Sequence, residues 1–343
     1  MQALVTRPGV AGSTHVADIR AATGDGVLVR VLEVGVCGTD REISHGLFGV
    51  APDDGGELVL GHEVLGLVER DGDGFTRGDL VTATVRRSCR HCVACSDGFP
   101  DSCLTGDYVE RGITRLNGFA CELVSEDPAQ LVPIPRSLGR LGVLAEPASI
   151  CERALRHARA IGGRQPWELQ RALVLGAGAV GTLSTYLLRL AGLEVWTASL
   201  EPSNELVTAS GAEYVSLPGT PLSELGGFDL VIEAAGNAQL MADTLGLLRR
   251  SGVACLLGID PRVQRVELDG RTLALDTILE NRVLFGSVNA AREDLLAAVA
   301  DLDRARKRWP DELEQFVSLR VPLDRFEDAF AHRGGKATLV LAD

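Results

Sequence analysis

Ala172-Leu-Val-Leu175-Gly176-Ala-Gly178-Ala-Val-Gly181 is the stretch that decides the fold. Its four apolar residues read as a short strand buried on both faces. Three glycines in GxGxxG spacing follow at once, and the apolar run Thr182–Ala191 continues as a helix. Alone, this spacing is a weak signal. Between a strand and a helix it is a dinucleotide-binding fingerprint, with a ligand-free glycine turn as the plain alternative. Gly176 permits the tight turn, Gly178 lets a pyrophosphate approach the backbone, and Gly181 lets helix pack on strand. The helix start adds unpaired N–H groups and partial positive charge. Ala179 and Val180 therefore join the three glycines as candidate cofactor contacts.

Downstream, apolar segments 194–198, 214–216, 230–233, 254–257 and 283–286 alternate with helical patterns, which predicts βαβ units on a parallel sheet. Upstream the character differs. Residues 1–145 hold short β-like runs at 27–33, 57–60, 64–69 and 79–84 with Gly and Asp turns between them, the pattern of an all-β lobe. A helix is expected over Ser149–Ile161 and another over Arg292–Lys307, and a last strand over Ala337–Leu341 that returns to the first lobe. For 343 residues, two domains are the expectation. Their bounds are read as 1–150 with 288–343, and 151–287. The fold class is α/β: a doubly wound parallel sheet beside a β-rich domain.

The end of the second strand selects the dinucleotide. An acid there suits the ribose hydroxyls of NAD, a cation the phosphate of NADP. Ser199 stands at that position and Glu201 two residues on, and no Lys or Arg occurs between Arg189 and Arg249. NAD is favoured, with NADP the alternative.

Cys89, Cys92, Cys95 and Cys103 are spaced C-x2-C-x2-C-x7-C, half of the chain's eight cysteines in one short segment. Four thiolates complete the closed tetrahedral shell of a structural zinc. Ser88, Arg90, Gly98 and Pro100 mark the lobe, about residues 88–104, as loop. The chain opens without a hydrophobic leader, so a disulfide cluster is disfavoured and a cytoplasmic protein is expected. No apolar run reaches the ~18–20 residues needed to span a bilayer. A net charge of −13 argues against a nucleic-acid partner.

A second set of metal-ligand types is scattered. Cys37 and Asp40 lie in Cys37-Gly-Thr39-Asp40, His62 and Glu63 in Leu60-Gly-His62-Glu63, and Glu146 precedes Pro147. Three protein ligands plus an open position would make a catalytic zinc. Spacing alone does not join these positions. The plain readings are a satisfied core histidine and a small buried thiol.

What joins them is a resemblance. Cys-Gly-Thr-Asp at 37–40, Gly-His-Glu at 61–63, the four-cysteine lobe and GxGxxG at 176–181, in that order, resemble the medium-chain zinc-dependent alcohol dehydrogenase superfamily. The resemblance implies a GroES-like catalytic domain and a Rossmann domain, an active site in the cleft between them, and NAD(P)-dependent oxidation of an alcohol with a catalytic zinc. Relatives of this fold imply a homo-oligomer, a dimer or tetramer. Cys-Gly-Thr-Asp-Arg-Glu-Ile (37–43), Leu-Val-Leu-Gly-His-Glu (58–63), Val-Arg-Arg (85–87), Glu-Arg-Gly-Ile (110–113), Asn-Gly-Phe (117–119) and Gly-Ser-Val-Asn (286–289) resemble the archaeal-type glucose 1-dehydrogenases within it. By that likeness Cys37, His62, Glu63 and Glu146 surround the catalytic zinc, Thr39 belongs to a proton relay, and Glu110 and Asn289 bind sugar hydroxyls. Hydride leaves C1 of an aldopyranose and a lactone forms.

Each role has a plainer counterpart. Glu110 is then a solvated loop charge, Asn289 a helix cap, Asp40 a group that orients a ligand, and Arg86 and Arg87 interdomain ion-pair partners. The paired arginines that some relatives use for the NADP phosphate are absent here, and Ile150 stands where some carry an Asp that grips sugar. The competing activity is a polyol, cyclitol or secondary-alcohol dehydrogenase of a biosynthetic pathway. The competing class is a non-catalytic zinc- and NAD(H)-binding redox sensor.

Overall fold

The computed structural model describes every residue except 21–23, 54, 55, 261, 263 and 343. The strands of its two largest sheets, in chain order, are β1 (Val27–Val36), β2 (Glu63–Val68), β3 (Leu80–Ala83), β4 (Leu123–Glu126), β5 (Leu131–Pro133), β6 (Arg171–Leu175), β7 (Glu194–Ser199), β8 (Glu213–Ser216), β9 (Phe228–Glu233), β10 (Leu248–Leu256), β11 (Val283–Gly286), β12 (Leu319–Pro322) and β13 (Ala337–Val340). The helices that position the sites are α1 (Gly38–Ser44), α2 (Ala145–Gly162), α3 (Ala179–Leu190), α4 (Ala238–Leu247) and α5 (Arg292–Arg308). Other strands and turns are named by their residues.

The chain divides into two units, and the division falls inside α2. One holds residues 1–149, 289–306 and 313–343, the other 150–288 and 307–312. The first is built on β1, a valine-rich run that suits a pleated, buried surface. Its sheet runs β5-β3-β2-β1-β13-β12, with β4 also paired to β1. Val27, Val29, Val31 and Val34 of β1 pack with Val64, Val68 and Val81 in one core, and Val36 joins Leu58, Leu60 and Leu339 in another. The β2 and β13 strands run antiparallel to β1 on its two sides, placing Glu63 opposite Gly35 and Ala337 opposite Val36.

The second unit is a six-stranded sheet in the order β8-β7-β6-β9-β10-β11, with all pairs parallel. Ala172 and Val174 of β6 enter one core and Leu173 and Leu175 the other. Both faces are covered, which is why β6 reads as a continuous apolar run. The order reverses at β6, the switch point where open parallel sheets bind ligands beyond their strand ends.

Several elements differ from their sequence reading. The helix α2 begins at Ala145, four residues before Ser149, so Glu146 lies in its first turn. The helix α3 begins at Ala179 inside the glycine motif, because Val180 and Gly181 already take helical geometry. The cysteine lobe is not all loop: Val93–Ser96 forms one helical turn and Pro100–Ser102 a 3-10 turn.

Candidate active site

At the end of β1 the chain turns directly into α1 with Cys37 as its cap. The Cys37 N–H donates to Asp40 Oδ2 at 2.9 Å, and the Thr39 N–H donates to Cys37 Sγ at 3.2 Å. This reciprocal capping satisfies the open end of the helix and fixes thiol and carboxylate together. His62 comes from the turn before β2. There the Phe119 N–H donates to the Gly61 carbonyl and the Ala120 N–H to the Leu60 carbonyl, both at 2.9 Å. His62 Nε2 lies 3.1 Å from Cys37 Sγ, and its Nδ1 lies 3.5 Å from Asp40 Oδ1. A histidine that ligates a metal commonly turns its second nitrogen to a carboxylate in this way.

Cys37, Asp40 and His62 each offer a ligand atom within 4.8 Å of the others, and so do His62, Glu63 and Glu146. His62, Asp40, Glu63 and Glu146 are all buried, and Cys37 is half-buried. Burial pushes Glu146 up to about 7; Glu63 and Asp40 push the same way, against the charges of His62 and Lys336. Burial opposes charge on His62, but Cys37 and Asp40 outweigh it and hold the imidazole well above its ordinary value. Burial raises Asp40 too, and His62 overcomes that to leave it low. The negative field that holds a proton at His62 would hold any cation set between Cys37 Sγ and His62 Nε2. Thiol, imidazole and carboxylate together form a donor set that suits zinc.

The four-cysteine lobe also converges, with all four sulfurs within 4.8 Å. Cys92 Sγ and Cys95 Sγ lie 3.3 Å apart, and Cys89 Sγ and Cys95 Sγ 3.8 Å. The Thr105 hydroxyl chiefly draws Cys89 down to about 5 and lowers Cys103 as well. At Cys95 the pull of the Ser88 hydroxyl is outweighed by burial and by Cys92 and Cys89, which push it up to about 11.

The glycine motif separates into packing and open positions. Gly176 has φ of +100°, and a Cβ there would lie 2.8 Å from Ala235 N. A Cβ on Gly181 would lie 2.0 Å from the Gly176 carbonyl oxygen, whereas one on Gly178 would meet nothing within 4 Å. The middle glycine, cap of α3, thus leaves the helix N-terminus open to an anion. At the end of β7, Ser199 donates a hydrogen bond to Glu201, and the Tyr214 hydroxyl donates to the Glu201 carbonyl at 2.8 Å.

The remaining sequence candidates are placed as follows. Thr39 sits in α1, half-buried beside Cys37. Glu110 is no solvated loop charge: it lies buried in the strand Val109–Arg111, and its Oε1 accepts two hydrogen bonds from Arg86, from Nε at 3.0 Å and from a terminal nitrogen at 2.9 Å. Arg87 pairs with Glu126 at 2.7 Å. Both arginines therefore find partners inside the first unit, and the interdomain pairing is corrected. Asn289 does not cap α5; Asp294 accepts the Ala291 N–H there. Its backbone has φ of +64°, and its buried Nδ2 lacks a hydrogen-bond partner. With Thr84, Glu146 and Ser149 it lines a narrow crevice. Lys336, absent from the sequence reading, is buried with its Nζ against Glu63 Oε2. A signal was available: the chain has 32 arginines and only two lysines, and this one follows Gly334-Gly335 at the edge of a strand.

Residues 23–136 match the family model of the alcohol dehydrogenase GroES-like domain, and residues 139–342 that of the glucose dehydrogenase C-terminus. The chain is 39% identical to a glucose 1-dehydrogenase of Methanocella arvoryzae over 342 residues, covering 96% of this chain and 95% of that protein. It is 37% identical to one of Thermoproteus tenax, covering 96% of each. Its fold matches Haloferax mediterranei glucose dehydrogenase in complex with NADP, Zn and gluconolactone at a TM-score of 0.91, with 31% identity and all of both chains covered. The chain belongs to the glucose dehydrogenase family, with an alcohol dehydrogenase GroES-like domain preceding the family's C-terminal segment.

Proposed function

We propose that the chain is a zinc-dependent dehydrogenase that moves hydride from the C1 hydroxyl of a glucose-type aldopyranose to NAD(P), leaving a lactone. The observation that carries this reading is that two donor sets meet at His62, Cys37 with Asp40 and Glu63 with Glu146, the ligand atoms of each set lying within 4.8 Å of one another. Zinc held by Cys37, His62 and one of the two glutamates would supply Lewis acidity toward a carbinol oxygen. Asp40 faces His62 Nδ1 and so orients the ring and sets its tautomer. Thr39, fastened beside Cys37, is the nearest hydroxyl on α1 to take part in moving the carbinol proton. Asn289 offers an unpartnered amide N–H beside Glu146, the kind of donor a sugar hydroxyl satisfies. Glu110 is already engaged by Arg86 and would accept a sugar hydroxyl only with its second oxygen, which is 3.4 Å from the Thr114 hydroxyl.

In the second unit, Gly176, Gly178, Ala179, Val180 and Gly181 would cradle the pyrophosphate, and Ser199 and Glu201 would face the adenosine ribose. Glu201 and the lack of a local cation support NAD; the Haloferax protein was found with NADP. The lobe of Cys89, Cys92, Cys95 and Cys103 would hold the structural zinc. β11 ends its sheet, and Ile278, Leu279, Leu284 and Val288 nearby are exposed, which supports a homo-oligomer joined through this apolar edge. Among the described residues no helix is long and apolar enough to cross a membrane, and a cytoplasmic location is part of this reading.

Initial rates of NAD and NADP reduction with glucose, galactose, xylose, inositols, sorbitol and secondary alcohols test the substrate and cofactor together. Turnover of aldopyranoses is expected. Turnover confined to a polyol, cyclitol or simple alcohol would shift the substrate, and NADH binding without any turnover would favour a sensor. Cys37→Ser and His62→Ala are each expected to abolish turnover while NAD affinity is kept; near-normal rates in either would refute the site.

A further inference from the structure

We propose that Arg86 is a positioning residue through which the four-cysteine lobe sets the affinity for sugar. Its guanidinium is held by the Asp101 carbonyl, close to Cys103 in the lobe, and in turn fixes the Glu110 carboxylate that receives a sugar hydroxyl. The proposal rests on the sugar-dehydrogenase reading above and gives the lobe a part in substrate binding beyond its own folding. The Arg86 side chain is 8% exposed, so its contacts are made away from water, where charge-assisted hydrogen bonds are strong.

Contacts from three residues converge on this one side chain. Nη1 donates to the Asp101 carbonyl at 2.7 Å, while Nε and Nη2 donate to Glu110 Oε1 at 3.0 and 2.9 Å. Arg86 Cζ stands 3.9 Å from the centre of the Tyr108 ring. The segment 101–110, which leads from the end of the lobe into the strand Val109–Arg111, is thus wrapped around the guanidinium. Strand register explains the arrangement. Arg86 lies directly opposite Glu110 in an antiparallel pair, so the two side chains share a face. Arg87 and Arg111 point to the other face by alternation, and both donate to Glu126 Oε2, at 2.7 and 2.9 Å. Arg86 is left to face the lobe. A second tie to the lobe, Arg90 with Asp127 at 3.2 Å, is exposed and holds it more weakly.

Hydrogen-bond capacity gives this junction its consequence. With Oε1 committed to Arg86, Glu110 has Oε2 left, where the Thr114 hydroxyl is a weak partner at 3.4 Å. A buried carboxylate oxygen with spare acceptor capacity suits a ligand hydroxyl. It discriminates that hydroxyl only while the carboxyl plane is held still, and the planar fork of an arginine holds it. The fork is fixed in turn by the Asp101 carbonyl, whose place depends on a closed lobe. The four sulfurs converge within 4.8 Å, and zinc joining them would hold that shape, because metal binding supplies the folding energy of so small a segment. In a lobe without zinc the Asp101 carbonyl leaves Arg86, and Glu110 loses its fixed orientation.

Glucose binding to the intact NADH-loaded chain, followed by calorimetry, tests this without turnover, since an alcohol and the reduced cofactor cannot exchange hydride. Arg86→Lys keeps a charge beside Glu110 and gives up the fork. Glucose affinity is expected to fall about tenfold, the low end of what a hydrogen bond to a charged group contributes, while the Kd for NADH stays within about twofold. Cys103→Ser, with loss of one zinc per chain verified, should lose glucose affinity by a similar factor. The double variant should lose no more than either alone, because both changes break the same chain of contacts. If Arg86→Lys does not fold, Tyr108→Leu carries the test: it removes the ring beside the guanidinium and should weaken glucose binding about threefold. Unchanged glucose affinity in any of these folded single variants, losses that multiply in the double variant, or a parallel loss of NADH affinity that marks general damage would each overturn the coupling. A wild-type chain that binds none of glucose, galactose and xylose would instead remove the sugar reading, and the proposal with it.

Discussion

Replacing Gly181 by alanine puts the nucleotide turn to a quantitative test. The added Cβ would stand 2.0 Å from the Gly176 carbonyl oxygen and 2.9 Å from its carbon. Real Cβ atoms essentially never come within 3.0 Å of such neighbours, so about 1 Å of separation must be found between the start of α3 and the end of β6. The obstacle is backbone, and it cannot rotate away as a side chain would. Overpacking of this kind costs about 1–3 kcal/mol, which at roughly 2–4 °C per kcal/mol lowers the Tm of the unfolding step by roughly 2–12 °C. The same displacement moves the first N–H groups of α3 away from a pyrophosphate, and a loss of at least about tenfold in NADH affinity, about 1.4 kcal/mol, is expected. Gly178→Ala is the internal comparison. A Cβ there meets nothing in the protein, so stability should hold while cofactor affinity falls, because only the ligand contests that space. Thermal unfolding and NADH fluorescence titration read both quantities. A Gly181→Ala protein with unchanged Tm and unchanged NADH affinity would refute the packing argument, and a Gly178→Ala protein with full affinity would refute the placement of the pyrophosphate.

Three further outcomes are expected. Cys89→Ser or Cys103→Ser should lose one zinc per chain and lower stability while Cys37 and His62 keep theirs; equal zinc content or unaltered stability would argue against a structural site. Glu110→Gln leaves the buried Arg86 guanidinium without its charge partner, and breaking a buried pair from one side costs about 3–5 kcal/mol; a denaturant midpoint within error of wild type would contradict this. Glu233, buried at the end of β9 with Oε1 accepting the Ala235 and Asn237 N–H groups, is held above its usual value by burial. Its folded form keeps the proton longer than its unfolded form, so its contribution is full below the unfolded pKa of about 4.3 and is lost as pH rises through the folded value. Glu233→Gln cannot titrate, and the stability of wild type relative to this variant should decline as pH rises above that point; parallel pH profiles would exclude the effect.

The features that were legible in sequence depend on neighbours along the chain. The turn at 176–181 needs an apolar strand before it and a helix after it, and both are adjacent; Ala179 being already helical moved a boundary and left the element intact. The four cysteines lie within one short segment whose length keeps their sulfurs near one another. Alternating apolar runs were enough to indicate a parallel sheet, because strands covered on both faces are mostly apolar. Cys37, His62 and Glu146 could be nominated from sequence only through a resemblance, since no spacing rule links a cap, a turn and a helix start.

Their convergence was decided by tertiary structure. Antiparallel pairing of β1 with β2 sets Glu63 opposite Gly35, which brings His62 beside Cys37. Pairing of β13 with β1 carries Lys336 to the same place from the far end of the chain. Folding also turned Arg86 and Glu110 into a buried pair, which neither residue announces by itself. Sequence by itself determined the pieces whose physics is local: backbone freedom at a glycine, apolar period, and thiol spacing. Which charges meet was settled only when strand register brought distant residues into a medium where an unpaired charge is costly.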